Sequence, residues 1–207
     1  MKATAYIRTG AVALALAAAV SAEAAPRPDL ERLKPVPPAL VAEVDELAQA
    51  AVIAEARRRE VFPVRGEFNW GQDGARFGAS RGGRAHAGQD VFARTGAPLV
   101  AVRRGVVVET GDDGGRGNYV ALFSPDSRRT YVYLHMDEPS RAKRGERVAA
   151  GQRLGGVGCT GSCSGDHLHF EIRRGRGLEG PAENPKRALR RWAAAGGARA
   201  TLPPGAH

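Results

Sequence analysis

From Val61 onward the chain of 207 residues is cut into short apolar runs by glycine-rich turns, and this pattern restricts the fold more than any other feature. The runs are Pro98–Val102, Gly105–Glu109, Tyr119–Phe123, Thr130–His135, Arg153–Val157 and Leu168–Arg173. Val, Tyr, Phe and Ile dominate them, and such side chains suit a pleated, half-buried surface. Repeated short strands with turn signals between them predict a mainly β domain, an antiparallel sheet with a sandwich or barrel-like core. The 27 glycines read as turn residues and not as disorder, because an apolar fraction of 43% is that of an ordinary globular domain.

Helices are expected on both flanks. Leu40, Val44, Leu47, Ala51 and Ala54 follow helical spacing between Pro38 and Glu60. Pro38 suits a first turn, and Arg57, Arg58 and Arg59 suit a helix C-terminus. This helix is expected to pack on the main domain; a pro-segment or a partner-binding helix is the alternative. Near the other end, Asn184 and Pro185 open a short C-terminal helix and Gly196 closes it, with a disordered tail beyond.

The first residues point to export. Lys2 and Arg8 precede an apolar run from Ala11 to Val20, and Ser21-Ala22-Glu23-Ala24-Ala25 follows. A positive start, a short apolar stretch and an A-x-A site describe a secretory signal peptide, here cut after Ala24. The run is too short to span a bilayer comfortably, so no stable membrane insertion is expected after its removal, an uncleaved membrane anchor being the alternative. No Cys follows it to carry a lipid anchor. The expected organisation is a signal peptide over 1–24, a linker and amphipathic helix over 25–60, the β domain over 61–186, and the helix and tail over 187–207. The product would be secreted, periplasmic or associated with the cell wall.

A net charge of +9 favours polyanionic partners. Nucleic acid is not expected among them, since no groove-reading motif is present and aromatics for base stacking are few. Outside the cytoplasm the available polyanions are wall polymers and anionic lipid. Cys159 and Cys163 are the only cysteines, and an oxidising compartment makes a disulfide between them reasonable. So short a loop would gain less than the ~3 kcal/mol of a 15-residue loop, so the bond would mainly stiffen one turn.

Four of the five histidines fall in three short segments. In His86-Ala87-Gly88-Gln89-Asp90, a central glycine can turn an imidazole and a carboxylate toward one metal. Alone, that spacing fits a surface turn as well. In Asp166-His167-Leu168-His169-Phe170-Glu171-Ile172, strand alternation puts His167, His169 and Glu171 on one face and Leu168, Phe170 and Ile172 on the core face. In Tyr131-Val132-Tyr133-Leu134-His135, the same alternation groups Tyr131, Tyr133 and His135 against Val132 and Leu134. His135 would then reach a cleft from a second strand, although a satisfied strand histidine is the plainer reading.

The three segments, in this order, resemble the lysostaphin-type (LytM-like) zinc endopeptidases. The likeness runs from Phe62-Pro63-Val64 to Pro185. It takes in Phe77-Gly78, Gly96-Ala97-Pro98-Leu99-Val100-Ala101, Gly105, Gly117-Asn118-Tyr119-Val120 and Gly151-Gln152. The departure is the stretch from Gly158 to Asp166, where the family has a Thr-Gly-x-Ser/Thr-Gly-x turn and this chain carries its cysteine pair. The departure concerns the local loop and the substrate subsite, and not the metal site.

The resemblance implies the family's duplicated hybrid motif fold and one Zn2+ held by His86, Asp90 and His169. Three protein ligands leave a fourth position for water, as a hydrolytic site requires. His167 would take the proton from that water and pass it to the leaving amine. His135 would stabilise charge on the tetrahedral intermediate or orient the water. Tyr133 and Glu171 are candidates for supporting the ligands, Glu171 by holding a ligand histidine in its tautomer, with an outward surface carboxylate the equal alternative for it. Cysteine ligation of the zinc is disfavoured, because paired zinc cysteines are usually two residues apart and three ligands are already present. The implied activity is hydrolysis of peptide bonds in peptidoglycan stems or cross-bridges. The alternative is a catalytically latent module that binds the wall or regulates another hydrolase. A hybrid is an active enzyme whose segment 26–60 blocks or recruits.

Overall fold

The computed structural model describes residues 37–198 and 200–201. The expected signal peptide and nearly all of the linker lie outside these residues. The chain divides into two units, one ending at Val44 and one starting at Asp45. The division falls inside helix α1, Pro38–Arg58. Leu40, Val41 and Val44 are exposed in the first unit, and Leu47, Val52 and Ile53 are exposed by 64%, 69% and 51% in the second. Within the second unit, Leu47, Val52 and Ile53 are therefore not laid on its core as expected. At about 100° per residue, Val52 and Ile53 lie roughly 140° and 240° around the helix from Leu47, so no single stripe collects them. No helix among the described residues is long and apolar enough to cross a membrane.

The second unit is mainly β. Its strands are β1 (Gln89–Phe92), β2 (Pro98–Val100), β3 (Gly105–Asp113), β4 (Gly117–Ser124), β5 (Arg129–Met136), β6 (Arg147–Val148), β7 (Arg153–Gly156), β8 (His167–Arg174) and β9 (Ala182–Glu183). The main sheet has the order β1-β8-β5-β4-β3-β6, with β9 also on β8, while β2 and β7 form a second small sheet. Every named pair is antiparallel. The sheet does not close on itself, so the architecture is sandwich-like and not a barrel. One apolar cluster joins Val91, Val120, Tyr133, Leu168 and Phe170 of the main sheet to Leu99 and Leu154 of the small one.

Helix α2, Lys186–Ala195, buries Leu189, Trp192 and Ala193 in this cluster. Asn184 Oδ1 accepts the Lys186 N–H at its start, and Gly196 ends it. Residues expected to lie in a disordered tail are held beyond it. Ala200 bridges Phe68, and the Thr201 N–H donates to the Phe68 carbonyl at 2.7 Å.

Alternation holds along β8, where Leu168, Phe170 and Ile172 enter the core. Along β5 it fails. Tyr131 and Tyr133 pair with Ile172 and Phe170 and share their core face. Tyr133 is fully buried, and its hydroxyl accepts the Val102 N–H at 2.9 Å. It therefore has no place beside the histidines. Val132 and Leu134 take the opposite face with Tyr119 and Ala121. A bulge then re-aims the strand. Val120 pairs Tyr133 and Asn118 pairs Met136, so Leu134 and His135 together oppose Tyr119. His135 adopts φ +62°, which frees its side chain from the core face that strict alternation would assign.

Glu60 fastens the start of the β domain to α2. It accepts from Trp192 Nε1 at 2.7 Å, Arg191 Nη2 at 3.0 Å and Arg103 Nε at 2.9 Å. Burial alone would raise its pKa, but these donors outweigh burial and hold the carboxyl below its ordinary value. A depressed folded pKa means that the stabilisation is present above the unfolded value and is lost as pH falls through the folded one. Glu60→Gln is expected to cost about 1–3 kcal/mol at pH 7. In urea unfolding, the gap from the parent protein should shrink below about pH 4.

Candidate metal centre and active site

The pairing of β1 with β8 sets Asp90 opposite His169 and Phe92 opposite His167. Paired residues share a face, so both histidines and the aspartate leave the sheet on the side away from Val91 and Leu168. His86 arrives from the preceding turn, its N–H donating to the Ala79 carbonyl and its own carbonyl accepting from Gly78. Gly88 between them has a steric reason. A Cβ there would collide with the His169 ring and the Phe170 carbonyl. His135 enters from the bulged end of β5. The structure thus brings together all five residues expected from the sequence, and each is less than a tenth exposed.

Three atoms converge. His86 Nε2 lies 2.9 Å from His169 Nδ1, and Asp90 Oδ1 lies 3.0 Å from each of them. One ligand atom from each residue falls within 4.8 Å of the others, an arrangement able to hold a metal ion. Tetrahedral donors about 2.0–2.2 Å from zinc would stand roughly 3.3–3.6 Å apart, so a small outward adjustment admits the ion.

The outer atoms settle which nitrogen faces inward. His86 Nδ1 donates to the Arg76 carbonyl at 2.8 Å, which leaves the Nε2 lone pair for the centre. His169 Nε2 donates to Glu171 Oε1 at 3.0 Å, which leaves Nδ1 for it. These tautomers follow from the hydrogen-bond network. Arg81 Nη2 donates to Asp90 Oδ2 at 2.7 Å, and Arg173 Nε donates to Glu171 Oε2 at 2.5 Å. Of the two places open to it from the sequence, Glu171 therefore takes the one against His169 and not the outward surface. The Arg76 carbonyl, Arg81 and Arg173 were not foreseen. A backbone carbonyl carries no side-chain signal, and surface arginines are too frequent in this chain to single out two.

The charges are strongly coupled. Burial opposes ionisation of Asp90, but His169 and His86 beside it keep its carboxyl far below the usual range. Burial likewise disfavours a charged His169, and Asp90 and Glu171 reverse the balance and raise its pKa. Burial raises Glu171, and His169 with Arg173 more than cancels that. The centre is thus built to hold positive charge between carboxylates.

The remaining two histidines have a different environment. His135 Nδ1 donates to the Thr160 carbonyl at 2.9 Å and His167 Nδ1 to the Gly165 carbonyl at 2.7 Å. Each keeps a lone pair on Nε2. Burial pushes His135 down to about 4, so it is neutral near pH 7. The rings of His135 and His167 are 4.9 Å apart, and His167 Nε2 lies 3.6 Å from Asp90 Oδ1. Beyond the Phe92 ring, 5.2 Å from that of His167, a cavity of about 550 Å³ opens between Arg65, Glu67, Arg94 and Asp166.

The family model described as Peptidase family M23 matches residues 84–185. Over 91 residues the chain is 40% identical to the peptidoglycan DD-endopeptidase ShyC of Vibrio cholerae, covering 43% of this chain and 20% of that protein. Over 90 residues it is 38% identical to the glycyl-glycine endopeptidase ALE-1 of Staphylococcus capitis, covering 43% and 25% respectively. The chain therefore spans a fifth to a quarter of the length of these curated relatives. Its fold superposes on the catalytic domain of the antimicrobial peptidase lysostaphin from Staphylococcus simulans with a TM-score of 0.51 and 31% identity, over 56% of this chain and 89% of that one.

Glu171→Gln is expected to weaken divalent-metal affinity by about 10–100-fold, because the His169 ring loses the carboxylate that orients it. Competition against a chromophoric chelator measures this directly.

Proposed function

Because the chain belongs to peptidase family M23, we propose that it is a zinc-dependent endopeptidase that hydrolyses peptide bonds in peptidoglycan stems or cross-bridges. One observation carries the reading. His86, Asp90 and His169 converge on one point, and two further histidines beside it present free Nε2 lone pairs.

The donor set fits zinc, with two neutral imidazoles and one carboxylate, each held by a partner on its far side. Zinc bound there supplies a Lewis acid, which polarises a scissile carbonyl and brings the pKa of water to about 7. The chain's own residues do the rest. His167, with Nδ1–H tied to Gly165, takes a proton from the attacking water at Nε2 and returns it to the leaving amine. His135, neutral and tied through Nδ1 to Thr160, offers an acceptor and no donor to the cleft. That favours orienting the water over stabilising an oxyanion. The sheet beneath excludes solvent from the ligand side, while the cavity past Phe92 accommodates residues flanking the cut bond.

Substrate and location follow the same reading. The two curated relatives are named for different bonds, a DD-link and a glycyl-glycine link, so the reading stops at stems or cross-bridges. A formal charge of +9 suits an anionic wall, and the leader-like first 24 residues suit export.

Purified peptidoglycan incubated with the protein is expected to release soluble muropeptides. A chelator should abolish the release and added zinc restore it. His169→Ala should be inactive and zinc-poor. His167→Ala should retain zinc and lose about 10²–10⁴ in rate. No release from walls of several chemotypes by a protein holding stoichiometric zinc would overturn the peptidase reading in favour of a latent module.

A further inference from the structure

The loop between β7 and β8 is where the chain departs from its family's usual turn. Cys159 and Cys163 are joined there by a disulfide, with Cα atoms 5.4 Å apart. Thr160, between them, supplies the carbonyl bound by His135. Gly165, two residues past Cys163, supplies the one bound by His167. Both tautomer-setting acceptors of the non-ligand histidines thus belong to one loop of nine residues, Gly158–Asp166.

Thr160 anchors the first half of that loop. Thr160 Oγ1 donates to the Met136 carbonyl at 2.7 Å and accepts the Asn118 N–H at 2.9 Å. Gly117, at φ +60°, lets Thr160 seat there, since a Cβ would strike its backbone. The other half is tied outward at its ends, the Ser162 N–H donating to the Gly115 carbonyl at 3.1 Å and Thr95 Oγ1 to Asp166 Oδ2 at 2.5 Å, while apart from the His167 ring no such tie reaches Ser164 or Gly165 from outside the loop among the hydrogen bonds of the described residues. Gly161, Ser162, Ser164, Gly165 and Asp166 are exposed, and Gly165 has open space where a Cβ would stand. Two short links tie this half to the first, the disulfide and the Gly165 N–H to Cys159 Sγ at 3.2 Å. A bond across four residues constrains the unfolded chain little, so its effect is local.

We propose that the Cys159–Cys163 disulfide is a positioning element of the site, fixing the Thr160 and Gly165 carbonyls so that His135 and His167 keep their protons on Nδ1 and their lone pairs on Nε2. The consequence for rate rests on the peptidase reading; the tautomers do not. Cys159 is exposed and Cys163 half-buried, so the bond is open to reductants.

The test uses long-range ¹H–¹⁵N spectra of the protein labelled at histidine nitrogen, with and without zinc, beside muropeptide release. In the parent protein His135 and His167 should each give a single Nδ1–H pattern. In the Cys159→Ser/Cys163→Ser double variant at least His167 should show mixed tautomers. Its kcat should fall about 10–100-fold, with KM and zinc content within about twofold of the parent. Should that variant fail to fold, the folded parent is reduced with a phosphine. The S–S bond breaks, the sulfurs gain two electrons and two protons, and the phosphine takes oxygen from water to become its oxide. Unchanged tautomers after either treatment would overturn the proposal. So would altered tautomers with unchanged kcat. A parent protein that holds zinc and releases nothing would sink the peptidase reading instead, and the spectra alone would then decide the clamp.

Discussion

The register of β1 on β8 is the constraint on which the rest of the site depends. Asp90 faces His169 across an antiparallel pair, and both leave the sheet on the same side. A slip of one residue would turn Gln89 outward and Asp90 into the apolar cluster, because the side-chain period of a strand is two. The core guards against that slip. Val91 on β1 and Leu168, Phe170 and Ile172 on β8 are buried on the opposite face, so the hydrophobic pattern that builds the sandwich also selects the metal register. Gly88 adds a second condition. Only a residue without Cβ lets the turn from His86 pass this close to the His169 ring.

Within that frame, hydrogen bonds to the outer nitrogens divide four histidines into two pairs. His86 and His169 are held by a carbonyl and a carboxylate so that their free nitrogens converge with Asp90. His135 and His167 are held by two loop carbonyls, and their free nitrogens stand beside the centre and not in it. The far-side partner fixes which nitrogen is free, and the place of each residue on the backbone decides whether that nitrogen meets Asp90 or stands beside it. Arg81 and Arg173 extend the pattern by engaging the outer oxygens of Asp90 and Glu171. Two carboxylates can then sit buried near the histidines, since each has an arginine on its outer oxygen and an imidazole on its inner one.

The legibility of this site in the sequence was uneven, for physical reasons. Alternation sorted β8 correctly, with His167, His169 and Glu171 opposite Leu168, Phe170 and Ile172, because that strand is regular over its whole length. The same rule misplaced Tyr133, which is core, and reached the right face for His135 only because a bulge reverses the strand after Leu134. Nothing in Tyr131–Met136 announces that bulge; no glycine marks it, and the left-handed φ falls on a histidine. The short strands β1, β6 and β9 were missed, since two to four residues carry no period to detect. In α1 the spacing was helical and the helix formed, but a ring of apolar residues does not specify a burial face.

The bulge also explains why the loop carrying the cysteines matters to the site. Strict alternation would have sent His135 into the core, where its neighbours in β5 hold it rigidly. Turned out by φ +62°, its N–H donates to the Arg116 carbonyl at 2.9 Å, and its ring is left to a partner from elsewhere. Thr160 is that partner, and Thr160 in turn is seated on Met136 and Asn118 at the two sides of the bulge. The irregularity of β5, the missing side chain of Gly117 and the fold of the cysteine loop are therefore one arrangement. A strand that gives up its regular register to present a histidine must recover that histidine's orientation from another segment, and here that segment closes on itself covalently.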